Sequence, residues 1–359
     1  MVPDAQARAL RHSAGLSRLD HVRPLRLRGD GALDLLDALT SSRLFIRENE
    51  MLQTLFLDQE ARPFADVLVA QEEDAWLVLA EGPTREALLA HARRVKDERF
   101  PGAAVEIEDL APGHALLGVD GPYAWEVAAA ALGPDLLGAP YLSFVRFGDA
   151  SCLRAGKTGE YGYVVLAPRP RAEEIWTRLL EVGAAQGAEQ VGLEALDLCA
   201  LENWHFSMRV LEGSPGRALD LTPLELQLQW RVESQKEFVG AEALRARRAA
   251  GAKARVTCFT AGAEVQAGQP VELGPARVGT VLAAAFSPLR RDWVGWALLD
   301  LHVAWPGISA MTVAGAGVPP VAIATRTPPV LNNRSLHIDP HRHSYQTRDR
   351  DEFPPLVVT

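Results

Sequence analysis

Gly156-Lys157-Thr158-Gly159-Glu160-Tyr161-Gly162-Tyr163 is the stretch from which the rest of this chain is best read. Three glycines fall within seven residues, between apolar segments at 142–147 and 163–166. That pattern predicts a tight turn that one strand enters and another leaves, since glycine tolerates positive φ and close backbone approach. A glycine-rich hairpin of this kind is common in unrelated proteins. Its meaning comes from the order of the segments around it.

Working outward, the first two thirds of the chain alternate strand-like and helix-like segments, an α+β pattern. Residues 22–27 alternate like a strand, and Gly29-Asp30-Gly31 opens an amphipathic helix at Ala32–Leu39. Residues 52–57 and 66–69 read as a hairpin around Asp58-Gln59-Glu60-Ala61-Arg62-Pro63, with a third strand at 76–80. Pro83-Thr84-Arg85-Glu86 starts a helix that reaches 95. A second round follows: a strand at 116–119, a helix after Gly121-Pro122 to 131, a strand at 144–147 and a helix over 171–187 with Ile175, Leu179, Leu180 and Val182 on one face. The unit around Ala32 resembles the unit around Tyr123, so two related halves are expected. The composition shifts at 243–255 (ALRARRAAGAKAR). From Val256 to Thr327, short alternating segments with frequent Gly and Pro predict a small β-barrel or sandwich. The polar, Pro/Arg/Asp-rich remainder reads as an extended or partly disordered arm. The expected plan is residues 1–245 as two α+β lobes, 254–327 as a barrel and 328–359 as a tail.

Composition bounds the function. With 48% apolar and 23% charged residues the chain is an ordinary globular protein, and its charge of −9 argues against nucleic acid as a partner. Cys152, Cys199 and Cys258 lie far apart with no C-x-x-C pair, which suits incidental buried thiols in a cytoplasmic protein. MVPDAQARALRHSAG has no apolar core, so it is no signal peptide, and no run approaches the ~20 apolar residues of a membrane span. His337, His341 and His343 are of metal-ligand type but fall in the polar tail without a packed surrounding, and no metal is expected. G-x-S-x-G, Walker, Rossmann and H-E-x-x-H motifs are absent.

Five segments in order resemble the glycine-cleavage T-protein (aminomethyltransferase) superfamily, whose members bind tetrahydrofolate. The 156–162 turn resembles the family's Gly-Tyr-Thr-Gly-Glu-Asp-Gly. Gly192-Leu193-Glu194-Ala195-Leu196-Asp197 with Leu201-Glu202-Asn203 is similar to Gly-Leu-x-Ala-x-Asp…Leu-Glu-Ala-Gly. Thr222-Pro223-Leu224-Glu225 running to Trp230, Phe238-Val239-Gly240-Ala241-Glu242-Ala243-Leu244, and Val278-Gly279-Thr280-Val281 with Phe286-Ser287-Pro288 match further family segments. The resemblance spans residues 14–323. It implies a T-protein-like α+β fold, two interleaved ferredoxin-like lobes plus a C-terminal β-barrel, with tetrahydrofolate or a 5-substituted or 5,10-methylene derivative between them.

What the resemblance implies about residues follows the same segments. Glu202 would accept the paired N–H donors of the pterin's 2-amino-4-oxo edge. Thr158, Gly159, Glu160, Tyr163 and Trp230 would complete the cofactor site. Asp66 falls on the family's catalytic aspartate, near N5 of the folate, with Ala65 in place of a preceding aspartate. Lys157, Glu81 and Tyr161 stand where the family has tyrosine, asparagine and aspartate, and would meet the substrate, Lys157 as a partner for an anion or for Glu160. Arg290-Arg291 would meet the folate's glutamate tail or the central region. Residues 14–17 align well inside a full-length member, so a leader that closes over the substrate side is expected to be missing. No cysteine lies in 217–225, unlike the iron–sulfur-assembly branch. The implied activity is tetrahydrofolate-dependent transfer of an aminomethyl, methyl or methylene unit to or from an amine- or methyl-bearing small molecule. A folate-binding or assembly protein that kept the fold without the reaction is the alternative. A small-molecule partner is expected and a homodimer is compatible with it; membrane is not called for.

Overall fold

The computed structural model describes residues 2–213, 215–315 and 318–358. The chain opens with α1 (Asp4–His12) and β1 (Gly15–Arg18). There follow β2 (Arg23–Arg28), α2 (Ala32–Leu39), β3 (Met51–Leu57), β4 (Pro63–Gln71), β5 (Trp76–Glu81), α3 (Arg85–Arg99) and β6 (Glu106–Asp109). The next set is β7 (His114–Asp120), α4 (Ala124–Leu132), β8 (Phe144–Phe147), β9 (Ala150–Leu153), β10 (Gly162–Pro168), α5 (Arg169–Ala184) and β11 (Glu189–Gln190). A connecting region holds α6 (Leu193–Asn203), α7 (Met208–Glu212) and α8 (Ala241–Ala250). The last strands are β12 (Ala254–Ala261), β13 (Pro270–Leu273), β14 (Ala276–Ser287), β15 (Asp292–Asp300), β16 (Met311–Gly315) and β17 (Val318–Arg326).

The two halves repeat one plan: strand, helix, three strands, helix, strand. The first sheet has the order β3-β4-β5-β2-β6 and the second β8-β9-β10-β7-β1-β11, so β1 is an extra strand slipped into the second copy. Neighbours are antiparallel except β1 and β11. Strand alternation builds the layers, because successive side chains point to opposite faces. Val67 and Val69 of β4 and Val78 of β5 pack on α2 and α3, while Leu68, Leu77 and Leu79 face the second sheet. On that sheet Tyr163 and Val165 pack on α4 and α5, while Val164 and Leu166 face back. The sheets therefore meet face to face, each covered outside by its own two helices.

β12 to β17 close into a six-stranded barrel, β12-β15-β14-β13-β16-β17, with β12 paired to β17. Its outer wall, with Cys258, Val294 and Trp296, packs on Leu201, Met208 and Phe238 of the connecting region. The residues after β17 differ from the arm expected of them. Val330, Leu331 and Ile338 are buried, Leu331 bridges Val357, and Tyr345 packs edge-on against Tyr123 at 5.7 Å. Polar composition hid an ordered strap, since its anchors are single apolar residues and backbone hydrogen bonds. The pattern reading also leaves out α1, β1, β6, β9, β11 and the helices α6 to α8 of the connecting region.

His91 on α3 is buried, its ring stacked on Phe64 at 4.5 Å. Burial, aided by nearby Arg94, lowers its pKa to about 4. The folded state excludes a proton that the unfolded chain takes up near 6.5, so this contribution is present above 6.5 and lost as pH falls toward 4. His12 and His205 are shifted the same way. His91→Phe should shrink the drop in unfolding midpoint between about pH 7 and about pH 5, measured by thermal melts. An unchanged slope removes His91 from the acid-sensitive set.

Candidate functional site

A cavity opens where the two sheets meet α6 and α7. With its open mouth it spans about 720 Å³ of space between atoms, of which about 80 Å³ is room for water-sized groups. Leu19, Leu68, Val164, Leu193 and Leu196 supply apolar wall. His21, Glu81, Asp120, Lys157, Thr158, Asp197 and Arg209 supply the polar groups.

The charged cluster is built from strand register and from the glycine turn. Asp66 on β4 lies directly opposite Glu81 on β5. Lys157 reaches across from the turn, its Nζ 2.7 Å from Asp66 Oδ2 and 2.8 Å from Glu81 Oε1. Burial alone would lower the ammonium, but the two carboxylates outweigh it and hold the lysine above its ordinary pKa. The other oxygen of Asp66 accepts Arg231 Nη1 at 2.9 Å, and both side chains are almost fully buried. Arg231 is fixed in turn through its carbonyl, which accepts the Ser41 and Ser42 hydroxyls at 2.8 Å each. His21 Nε2 lies 3.8 Å from Glu81, and burial holds the imidazole below its ordinary pKa, so it is neutral at pH 7. Two carboxylates thus face two cations, with no net charge.

Behind the turn lies a second network. Arg11 of α1 is 1% exposed; its Nη2 donates to Glu202 Oε2 at 2.8 Å and its Nη1 to the Thr158 carbonyl at 2.6 Å. Ser287 of the barrel donates to the other oxygen of Glu202 at 2.7 Å. Glu160 accepts the backbone N–H groups of Arg334 and Ser335 and the Ser335 hydroxyl, with Arg11 3.5 Å away. Tyr161 donates its hydroxyl to the Ile338 carbonyl at 2.8 Å. The strap is thereby tied to the turn.

Lys157, Glu81 and Thr158 therefore line the cavity, and Asp66 stands one contact behind Lys157. The other residues singled out from the sequence lie elsewhere. Glu202 is not among the cavity-lining residues; one of its oxygens accepts from Arg11 and the other from Ser287. Glu160 and Tyr161 serve the strap. Gly159 has φ +79° and packs on Asn203 and Asn333, where a methyl group would come within 2.6 Å. Tyr163 is buried between the second sheet and its helices. Trp230 is 69% exposed, with the Arg231 guanidinium 4.8 Å from its ring. Lys157 pairs with Asp66 and Glu81 rather than with Glu160, and Arg290 binds Asp292 and the strap carbonyl of Val330. Sequence reading missed Arg11, Asp120, Arg209 and Arg231. Arg231 alone had a local signal, its place directly after the Trp230 segment. No group of His, Cys, Asp and Glu among the described residues could hold a metal.

Two stacked α+β units with a barrel at their side and a cavity between them define the class of protein. Residues 2–236 match the family model of the GCVT N-terminal domain. An aminomethyltransferase of Frankia alni is 31% identical over 314 residues, covering 84% of this chain and 82% of that one. One from Thermoanaerobacter sp. (strain X514) is 28% identical over 312 residues, covering 83% and 82%. The crystal structure of glycine cleavage system aminomethyltransferase T from Bartonella henselae matches in fold with a TM-score of 0.79, at 21% identity over 90% of this chain and 88% of that one. The chain belongs to the GCVT aminomethyltransferase family. No described helix is long and apolar enough to cross a membrane.

Removing one partner of a buried pair leaves the other charge stranded. Arg11→Leu should cost about 3–5 kcal/mol in urea unfolding. Glu202→Gln keeps the shape and some of the hydrogen bonds, and should cost about 1–3 kcal/mol without any ligand present. A Glu202→Gln protein as stable as wild type would return Glu202 to the ligand-binding set.

Proposed function

We propose that the cavity binds a reduced folate and that the chain moves a one-carbon unit between N5 of that folate and an amine- or methyl-bearing small molecule. The observation that carries this reading is Lys157, held between Asp66 and Glu81 at the wall of an otherwise largely apolar cavity. The cavity suits the group: apolar side chains offer contact to ring faces, and a buried carboxylate, Asp120, has an oxygen left to accept N–H donors. Tetrahydrofolate, when bound, would supply the nitrogen that takes or gives the one-carbon unit.

The protein's share is charge and position. An ammonium has three hydrogens, and Lys157 commits two to Asp66 and Glu81, leaving one for a ligand oxygen. Glu81 lines the cavity itself and is the carboxylate placed to take a proton from an amine or to oppose a developing positive charge. Asp66 acts through Lys157, setting the position of its ammonium. Tetrahydrofolate or its 5-substituted or 5,10-methylene form fits this reading equally, and the donor or acceptor is any small molecule that reaches Glu81.

A second reading, a folate-binding protein without turnover, is favoured by one observation: both oxygens of Asp66 are already engaged, by Lys157 and Arg231. Calorimetry with tetrahydrofolate and single-turnover assays with methyl and aminomethyl donors separate the two. Glu81→Gln and Lys157→Met should lower turnover about 100-fold while folate affinity changes far less. Folate binding without turnover of any such donor selects the second reading, and absence of folate binding defeats both.

A further inference from the structure

Asp120 ends β7, with Gly15 of β1 on one side and Gly162 of β10 on the other. Its surroundings are cut to fit a carboxylate. A methyl group on Gly156 would lie 2.7 Å from Asp120 Oδ1, and one on Gly162 would lie 2.9 Å from the same atom. The two glycines also meet each other, a methyl on Gly162 falling 2.5 Å from the Gly156 Cα. They leave room for the Asp120 side chain, which lines the cavity while only 7% of the residue is exposed.

That carboxylate is under-satisfied. Its one hydrogen bond among the described residues is from the Thr158 hydroxyl to Oδ1, long at 3.3 Å, and it forms no ion pair. Every other buried acidic side chain described holds at least two donors. Asp66 has Lys157 and Arg231, Glu72 has two from Arg26, and Glu202 has Arg11 and Ser287. Glu160 is held by the strap and Glu225 by Thr222. A buried carboxylate can accept about four hydrogen bonds, and leaving them unmade in a protein interior is costly. Asp120 is therefore the acceptor that the cavity holds in reserve.

We propose that Asp120 is the carboxylate by which the cavity reads its ligand, accepting the paired N–H donors of a 2-amino-4-oxopyrimidine edge such as that of a pterin. The inference rests on the folate reading above and gives Asp120 the task that the sequence resemblance assigned to Glu202. Parallel donors match a carboxylate in one plane, and Val164 and Leu196 on the cavity wall offer apolar contact to the ring.

The assignment carries a pH signature. Burial pushes the Asp120 carboxyl up to about 7, the Thr158 hydroxyl and Arg11 of α1 being too weak to hold it down. Other titratable groups surround it. The Cys199 thiol of α6 is pushed up by burial, Lys157 is held charged by Asp66 and Glu81, and His21 is lowered. Glu160 and Asp197 are raised by burial, against the pull of the strap's donors and of Arg209. The ionised acceptor is present above about 7 and lost below it, so affinity should fall by about tenfold per pH unit on the acid side. Binding there must also expel the proton from Asp120.

Calorimetry of the full chain tests this with tetrahydrofolate and with 6-methyltetrahydropterin, which lacks the aminobenzoyl tail, in buffers of different ionisation enthalpy. Wild type should bind both and release a proton at about pH 6.5 but not at about pH 8.5. Asp120→Asn, which keeps the shape and the Thr158 contact, should lose about 10- to 100-fold in affinity and release no proton. Equal affinity in wild type and variant, or binding without proton release, overturns the role of Asp120 and leaves the folate reading standing. Binding of the pterin alone, lost in Asp120→Asn, supports Asp120 and defeats the folate reading. Binding of neither compound overturns both. Should the variant fail to fold, proton release by the wild-type protein decides.

Discussion

A guanidinium cut off from water must be surrounded by acceptors, and at Arg11 this requirement joins distant parts of the chain. Stripping water from an ion costs several kcal/mol, recovered only by well-placed partners. Glu202 from α6, the Thr158 carbonyl from the glycine turn and Glu160, which also holds the strap, meet that demand. Ser287 extends the network into the barrel. One buried cation thereby fixes the N-terminal helix, the connecting region, the turn and the C-terminal strap relative to one another. It also decides how the turn is used. The carbonyl of Thr158 and the carboxylate of Glu160 face this junction, so the turn has only the side chains of Lys157 and Thr158 to offer the cavity.

Much of the scaffold was legible because it rests on local periodicity. Alternation along β4, β5 and β10 places residues on two apolar layers, and the strand–helix units around Ala32 and Tyr123 are the starts of two copies of one topology. What was not legible depends on contacts between residues far apart in sequence. Arg11 reads as a surface arginine on a short helix until Glu202, 191 residues away, is brought against it. Arg231 and Asp66 are 165 residues apart. The strap was hidden for a related reason: Glu160 holds it through backbone N–H groups, which any sequence supplies. Motif order placed Asp66, Lys157, Glu81 and Thr158 at or beside one cavity, but it could not say that Glu202 would be taken by the protein itself.

Two sets of polar groups on the cavity wall consequently differ in electrical state. Around Lys157 each charge has an opposite partner, and a ligand must displace an existing pair or settle for the remaining lysine hydrogen. At Asp120 an acceptor is nearly bare, and a ligand gains hydrogen bonds without breaking any but the long one from Thr158. Donor-rich groups are therefore drawn to Asp120 first, since an unmet buried acceptor gives more on pairing than a met one. On the proposed reading, Asp120 serves recognition and the balanced cluster around Lys157 serves the chemistry. Lysine at position 157 is what closes the balance: it spans from the turn on the second sheet to Asp66 and Glu81 on the first, so the same contact that quiets the charge also locks the two sheets together beside the cavity.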